Sequence, residues 1–195
     1  MLMTKLAYLW DSTKCIACMA CVTACGAANH PELKDPTQKD SVKAWKGSNI
    51  RVVQSPDGKR FRLVSCQHCE RPACVYACPT KASYINEKTK LVEIDYSKCI
   101  GCLACVAACP YQARWVHPES RLPMKCMGEF CKARLEIGKQ PAALCTAVCP
   151  AGARDFGDLD DPLSSISKKV KESYTERMLE NLGLEPKYII VVGGK

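Results

Sequence analysis

The run Cys99-Ile100-Gly101-Cys102-Leu103-Ala104-Cys105-Val106-Ala107-Ala108-Cys109-Pro110 decides how this chain is read. It sets four thiols in the spacing C-x2-C-x2-C-x3-C and closes on proline. The same spacing recurs at Cys15, Cys18, Cys21 and Cys25, without the proline. Looser versions stand at Cys66, Cys69, Cys74 and Cys78 (C-x2-C-x4-C-x3-C, then Pro79) and at Cys126, Cys131, Cys145 and Cys149 (C-x4-C-x13-C-x3-C, then Pro150). These four groups use all 16 cysteines of the 195-residue chain. Cysteine is therefore about 8% of the residues, several times its ordinary share. Hydrophobic residues make up 47%, but this includes cysteine, and only three Phe and three Trp are present. So thin an apolar core needs a supplement, and the cysteines are where to look for it.

Three chemistries use cysteine in number. Disulfides need an oxidising compartment, and no signal-peptide pattern is read in residues 1–14. Zinc sites use two C-x2-C pairs a dozen or more residues apart, and the tight groups here are too crowded for that. Iron–sulfur clusters account for the spacing directly: C-x2-C-x2-C-x3-C-P wraps three thiolates round one cubane and sends the fourth to a neighbouring one. The mechanical reason is that a short loop reaches three corners, while a Cys three residues further on begins a helical turn and points away. Proline then fixes φ and offers no amide hydrogen. Two motifs exchanging fourth ligands make a two-cluster unit, so four motifs predict four 4Fe–4S clusters.

The charge is reread in this light. Lys and Arg number 28 against 20 Asp and Glu, a formal +8. An oxidised cubane with four thiolates carries about −2, so four clusters would cancel that excess. The basic balance thus gives no argument for nucleic acid, which would need a basic stripe with interleaved aromatics. No apolar run approaches the ~20 residues of a spanning helix.

Along the chain, Lys5–Trp10 reads as a strand, Ala17–Ala28 as a loop and helical turn, and His30–Ser48 as a polar insertion. Two hairpins are expected: Ile50–Val53 with Phe61–Val64 across Ser55–Gly58, and Ala82–Asn86 with Leu91–Ile94. Gln112–Val116 echoes Ala82–Ile85, each just after a Cys-Pro, which suggests an internal duplication. Lys132–Lys139 offers Leu135 and Ile137 for packing. Ser165–Leu182 has helical periodicity with Gly183 as its cap, and Tyr188–Val192 reads as an edge strand or an arm. The expected fold class is α+β, built from two ferredoxin-like 4Fe–4S units. One would comprise residues 1–60 with 124–165, the other 61–123, and 166–195 would form a C-terminal extension.

With four such motifs in this order, the sequence resembles the four-cluster electron-transfer subunit of molybdenum/tungsten bis-pyranopterin oxidoreductases, most of all the polysulfide and arsenate reductase branch. The likeness runs from about Lys5 to about Pro162. It includes Cys66-Gln67-His68-Cys69-Glu70-Arg71-Pro72-Ala73-Cys74, Cys109-Pro110-Tyr111-Gln112-Ala113-Arg114, Arg134-Leu135-Glu136-Ile137-Gly138-Lys139 and Phe156-Gly157-Asp158-Leu159-Asp160-Asp161-Pro162. The resemblance implies that motif one pairs with motif four, and two with three. One cluster would take Cys15, Cys18, Cys21 and Cys149. The next would take Cys126, Cys131, Cys145 and Cys25, the third Cys66, Cys69, Cys74 and Cys109, and the last Cys99, Cys102, Cys105 and Cys78. It also implies a non-catalytic subunit, with a large molybdenum or tungsten pterin subunit on the motif one/four side. A quinone-linked membrane subunit or a soluble carrier would dock at the other end. The complex would be cytoplasmic, or held at a membrane or exported through a partner. Motif four departs from the family in both gaps, which makes Cys131 the ligand it implies least firmly. An iron–sulfur subunit of a hydrogenase, carbon monoxide dehydrogenase or aldehyde oxidoreductase complex shares the cluster motifs.

Other polar residues have plain readings. His68, between two ligands, could tune a cluster through a hydrogen bond but is expected to pack or face solvent, and His30 and His117, each before a proline, to sit in solvated loops. Trp115 and Tyr111 could shield a cluster or simply pack. Lys98 and Lys125, each just before a ligand, could compensate cluster charge, but both are expected at the surface. Asp158, Asp160 and Asp161 lack calcium-loop spacing and read as a solvated turn. No nucleophile–base pair or phosphate loop is present, so the chain offers electron passage rather than catalysis of its own.

Overall fold

The computed structural model describes residues 5–33, 47–54 and 61–194. Its central element is β1, Leu6–Asp11, an uninterrupted buried run. Such a run fits a strand covered on both faces. β1 pairs antiparallel with Arg154–Asp158 (β8), and parallel with Tyr188–Gly194 (β10). Ser173–Glu176 (β9) completes a four-stranded sheet in the order β8-β1-β10-β9.

The period-2 rule assigns the two faces. Leu6, Tyr8, Trp10, Phe156, Tyr188 and Ile190 pack with Cys21, Cys25, Cys66, Cys126, Cys131 and Cys145. Ala7, Leu9, Ile189 and Val191 pack on the other side with Ile166 of α6, Ser165–Glu172. Gly157 lets the helix come close: a Cβ there would stand 3.2 Å from the Ile166 Cγ2 atom. One side of the sheet therefore holds an ordinary apolar core, and the other faces the thiols.

The remaining strands are short antiparallel hairpins: β2 (Arg51–Gln54) with β3 (Phe61–Val64), β4 (Ser83–Ile85) with β5 (Val92–Ile94), and β6 (Trp115–Val116) with β7 (Pro123–Met124). The Ser55–Gly58 turn and most of the His30–Ser48 insertion lie outside the described residues. The helices are brief. α1 spans Ala20–Asn29, α2 Ala73–Tyr76, α3 Ala104–Ala107, α4 Glu129–Glu136 and α5 Leu144–Ala147. Each of α1, α2, α3 and α5 carries the third cysteine of a motif in its first turns, and α4 carries Cys131. Separate helices and antiparallel hairpins make the α+β organisation that the sequence predicts.

Three expectations about the later chain need correction. The helix from Ser165 stops at Glu172, although Ser164 caps it by accepting the Ser167 amide. The reason is competition: Ser173-Tyr174-Thr175-Glu176 finds a strand partner in β10, and aromatic and β-branched residues favour that pleated setting. Gly183, at φ 63°, closes the 3-10 turn Glu180–Leu182 rather than a long helix. Tyr188–Val192 is not an edge, because β10 lies between β1 and β9 with Tyr188 fully buried. Further back, Leu135 packs on the core as expected, but Ile137 lies past the end of α4 and is 75% exposed. Among the described residues no helix is long and apolar enough to cross a membrane.

Candidate metal centres

The motif loops share a backbone pattern. The residue before the second cysteine has positive φ in three motifs: Ala17 at 54°, His68 at 46° and Gly101 at 69°. The residue after it does so in motifs one and three: Met19 at 63° and Leu103 at 60°. Non-glycine residues pay about 1 kcal/mol or more for this region. What they gain is curvature, since left-handed turns gather successive N–H groups on a concave side and form an anion cradle.

The fourth cysteines share a second pattern. After Cys-Pro, the residue three beyond the cysteine is left-handed in each case: Lys81 at 56°, Gln112 at 49° and Gly152 at 59°. Each donates its amide to the carbonyl of Cys78, Cys109 or Cys149. The turn then aims an amide at the sulfur. Ser83 N–H reaches Cys78 Sγ at 3.4 Å, Ala113 N–H reaches Cys109 Sγ at 3.5 Å, and Ala153 N–H reaches Cys149 Sγ at 3.3 Å. Amides pointed at a sulfur favour its thiolate.

The fold gathers the cysteines in sets. One cavity is lined by Cys15, Cys18, Cys21 and Cys149, and another by Cys66, Cys69, Cys74 and Cys109. The thiols also feel one another's charge, within these sets and between neighbouring ones. Burial raises the Cys21 thiol, and Cys145, Cys15 and Cys149 add to this. Burial pushes Cys69 up to about 12, helped by Cys66, Cys74 and Cys109. It pushes Cys25 up to about 12 as well, with Cys145 and Cys131 adding to it. Cys126 rises well above its ordinary value through burial, then through Cys145, Cys25 and Cys131. Cys105 rises through burial and through Cys99 and Cys78. Cys131 is buried on α4 and coupled to Cys145. Cys102 stands exposed at the loop tip between Gly101 and Leu103.

Such donor sets suit a cubane. Soft sulfur ligands surround a small cavity, amides point at the sulfurs, and the burial that opposes free thiolates is what bound iron would offset. The nearby cations strengthen the fit. Arg114 is 3% exposed; its Nη2 donates to Cys74 Sγ at 3.1 Å and to Ser83 Oγ at 2.6 Å. Arg154 is 4% exposed, with its guanidinium 6.0 Å from the Tyr188 ring centre. Burial alone would depress both guanidiniums. Thiolates overcome it: Cys74, Cys105 and Cys66 for Arg114, and Cys145, Cys21 and Cys126 for Arg154.

Lys125, expected at the surface, is buried. Its Nζ donates to the carbonyls of Val92 and, at 2.9 Å, Cys126. Lys187 is buried too and donates to the Lys90 carbonyl. Sequence reasoning does not foresee the burial of these four cations, because lysine and arginine are usually exposed. One cue is present: Cys109-Pro110-Tyr111-Gln112-Ala113-Arg114 and Cys149-Pro150-Ala151-Gly152-Ala153-Arg154 place arginine at the same offset from a last cysteine. Lys98 is exposed as expected and pairs with Asp95 at 2.9 Å.

The histidines divide. His68 packs as expected: it is 1% exposed, stacks on Tyr8 at 5.5 Å and accepts the Val92 amide on Nδ1 at 3.1 Å. His30 and His117 are not in solvated loops but buried on either side of Glu32. His117 Nδ1 accepts the Glu119 and Ser120 amides at 3.3 and 3.2 Å, so Nε2 carries the proton and donates to Glu32 Oε1 at 2.9 Å. Trp115 donates to Asn49 Oδ1 at 2.9 Å, and the same oxygen takes His30 Nε2–H at 3.3 Å. A cation on Glu32 would have to displace the His117 proton while two amides hold the opposite nitrogen. The trio is therefore a hydrogen-bonded tie between the segment after motif one and the hairpin after motif three. Tyr111 is buried against Cys69, whereas Trp115 is half-buried in the histidine tie. Asp158, Asp160 and Asp161 form a capped turn, in which Asp158 accepts the Lys5 and Asp160 amides and Asp161 that of Leu163.

Comparison with known proteins agrees with this chemistry. Residues 60–159 match the family described as "4Fe-4S dicluster domain", and residues 8–27 match "4Fe-4S binding domain". The chain is 42% identical over 188 residues to a component of the polysulfide reductase of Wolinella succinogenes, covering 96% of this chain and 94% of that one. It is 40% identical to the thiosulfate reductase electron transfer subunit PhsB of Salmonella typhi, covering 87% and 84%. It is 36% identical to a component of the sulfite dehydrogenase of Allochromatium vinosum, covering 94% and 81%. On the cysteine frame, the matched domains and identity that spans nearly its whole length, the protein belongs to the family of iron–sulfur subunits of the molybdopterin oxidoreductases.

Proposed function

We propose that the chain relays single electrons through four 4Fe–4S clusters between a large molybdenum or tungsten pterin catalytic subunit and a second redox partner. That partner is either a quinone-linked membrane subunit or a soluble carrier, and the setting is anaerobic respiration. The chain itself is non-catalytic. It reaches its membrane, if it has one, through a partner. Cys15, Cys18, Cys21 and Cys149 hold the first cluster, and Cys126, Cys131, Cys145 and Cys25 the second. Cys66, Cys69, Cys74 and Cys109 hold the third, and Cys99, Cys102, Cys105 and Cys78 the fourth. The clusters supply reversible one-electron chemistry, and the protein sets their burial, spacing and hydrogen bonds. The first two clusters and the last two make two ferredoxin-like units that arose by duplication.

The observation that carries this reading is the burial of the four sets. Cys126, Cys131, Cys145 and Cys25 are all buried, as are Cys66, Cys69 and Cys74, while Cys18 and Cys102 are exposed. Two covered sites between two open ones is the arrangement a relay needs: electrons enter and leave at the surface, and the interior steps are kept from solvent.

The test is anaerobic purification with its natural partners, followed by iron and sulfide analysis. About 16 irons per chain, broad absorption near 400 nm and a copurifying pterin subunit are expected. A colourless chain with stoichiometric zinc, or one holding far less iron after reconstitution, overturns the reading.

A further inference from the structure

The cluster sets leave the buried cations unexplained, and their positions form a series. Arg154 lines the cavity of Cys15, Cys18, Cys21 and Cys149, and it is also drawn to Cys145 and Cys126 of the second set. Lys125 precedes Cys126 and holds that residue's carbonyl. Its other partner, Val92, packs on Cys74 and Cys105, and Cys66 is the strongest attraction it feels. Lys125 thus sits between the second set and the third. Arg114 lines the cavity of Cys66, Cys69, Cys74 and Cys109, bonds Cys74 and is drawn to Cys105 of the fourth set.

The two arginines match in detail. Each stands five residues after a last cysteine, and each leaves the same atoms, Nε and Nη1, buried with no hydrogen-bond partner among the described residues. A buried guanidinium N–H left unpaired is costly, so two such pairs in equivalent places call for the same kind of acceptor.

Resting on the cluster assignment above, we propose that Arg154, Lys125 and Arg114 form a ladder of buried cations, one at each junction between successive clusters, with the free N–H groups of the arginines donating to cluster sulfur. Positive charge beside a cluster stabilises its reduced form and raises its potential, and buried charge is screened little by salt. Placement at a junction has a further consequence. A cation within reach of both sites favours an extra electron on either. When one electron passes across, one site is oxidised as its neighbour is reduced, and the cation's help is kept throughout. Lys187, drawn to Cys66 and Cys69 of one set only, is not a rung.

The test uses the full chain with its four clusters loaded anaerobically and reads midpoint potentials by spectroscopic redox titration. Iron content is measured first on the unaltered chain, so low iron there counts against the cluster assignment and not against the ladder. With iron equal, Arg114→Gln lowers the potentials of two clusters and Arg154→Gln those of the other two. Each shift corresponds to at least a tenfold change in the oxidised-to-reduced ratio at fixed potential, about 59 mV for one electron. Lys125→Met lowers one potential from each pair. Lys187→Met, the control, moves at most the third cluster. If a glutamine variant loses iron, Arg114→Lys or Arg154→Lys, which keeps the charge, returns both the iron and the potential. Unchanged potentials at equal iron, a uniform shift of all four, or failure of the lysine variants to restore them overturns the proposal.

Discussion

The outer cysteine sets and the inner ones are built from nearly the same words in different settings. Cys18 and Cys102 lie at exposed loop tips, each in a Cys-Ile-x-Cys turn whose isoleucine, Ile16 or Ile100, is 67% exposed. Cys126, Cys131 and Cys145 are buried against Tyr8, Phe156 and Tyr188 of the central sheet, and Cys66 joins the same cluster. In the tightly spaced motifs one and three the second thiol stands at the surface and the third is buried, whereas in the looser motifs two and four the first three thiols are all buried. A relay follows from that difference, because the exposed turns can meet partners and the interior is left to the sheet.

The largest expected effect comes from breaking an inner set. Cys145 is coupled to Cys21, Cys25, Cys126 and Cys131. Cys145→Ala is expected to lose roughly half the iron and cooperative unfolding with it. Cys102→Ala should lose about a quarter of the iron and keep the thermal transition. Iron analysis with calorimetry compares the two, and equal losses would erase the distinction between inner and outer. Oxidative attack gives the next contrast. Ferricyanide should strip iron from the outer sites several-fold faster than from the inner ones, followed by the appearance of three-iron signals.

The His30–Glu32–His117 tie responds to pH. Burial lowers the His30 pKa, and this outweighs the nearby Glu32. The folded state thus prefers neutral His30, so its contribution is present above about pH 6.5 and is lost as pH falls through the lowered value. Thermal stability should decline between pH 7 and pH 5, and His30→Gln should flatten that part of the curve. Backbone strain offers a smaller test. Gly101 and Ala17 occupy equivalent positive-φ positions in motifs three and one. Gly101→Ala should cost about 1 kcal/mol and Ala17→Gly should return about as much, read by denaturant midpoint. The smallest effect belongs to Lys98, paired with Asp95 but 64% exposed. Lys98→Ala should change stability by less than about 0.5 kcal/mol.

The cysteine spacings made the site legible because ligand geometry is local: four thiols within a dozen residues leave little choice of chemistry. Hairpins at Ala82–Asn86 with Leu91–Ile94 and at Ile50–Val53 with Phe61–Val64 were legible for the same reason, through alternation and turn residues. What could not be read was set by distant partners. Ser173–Glu176 continues a helical periodicity and becomes a strand only because β10 is there to receive it. Lys125 looks like any surface lysine until the fold lays Val92 and Cys126 across its ammonium. His30 and His117 each precede a proline, and neither neighbourhood alone reveals that Glu32 joins them.

β10 lies alongside β1 although some 180 residues separate Tyr8 from its register partner Tyr188. A nascent polypeptide therefore cannot close its central sheet until residues 188–194 have left the ribosome, because among the described residues no earlier segment takes that place beside β1. Until then the wall over the motif-one and motif-four thiols is unfinished. The order of synthesis thus leaves the most deeply buried thiols without their roof until Tyr188 and Ile190 arrive.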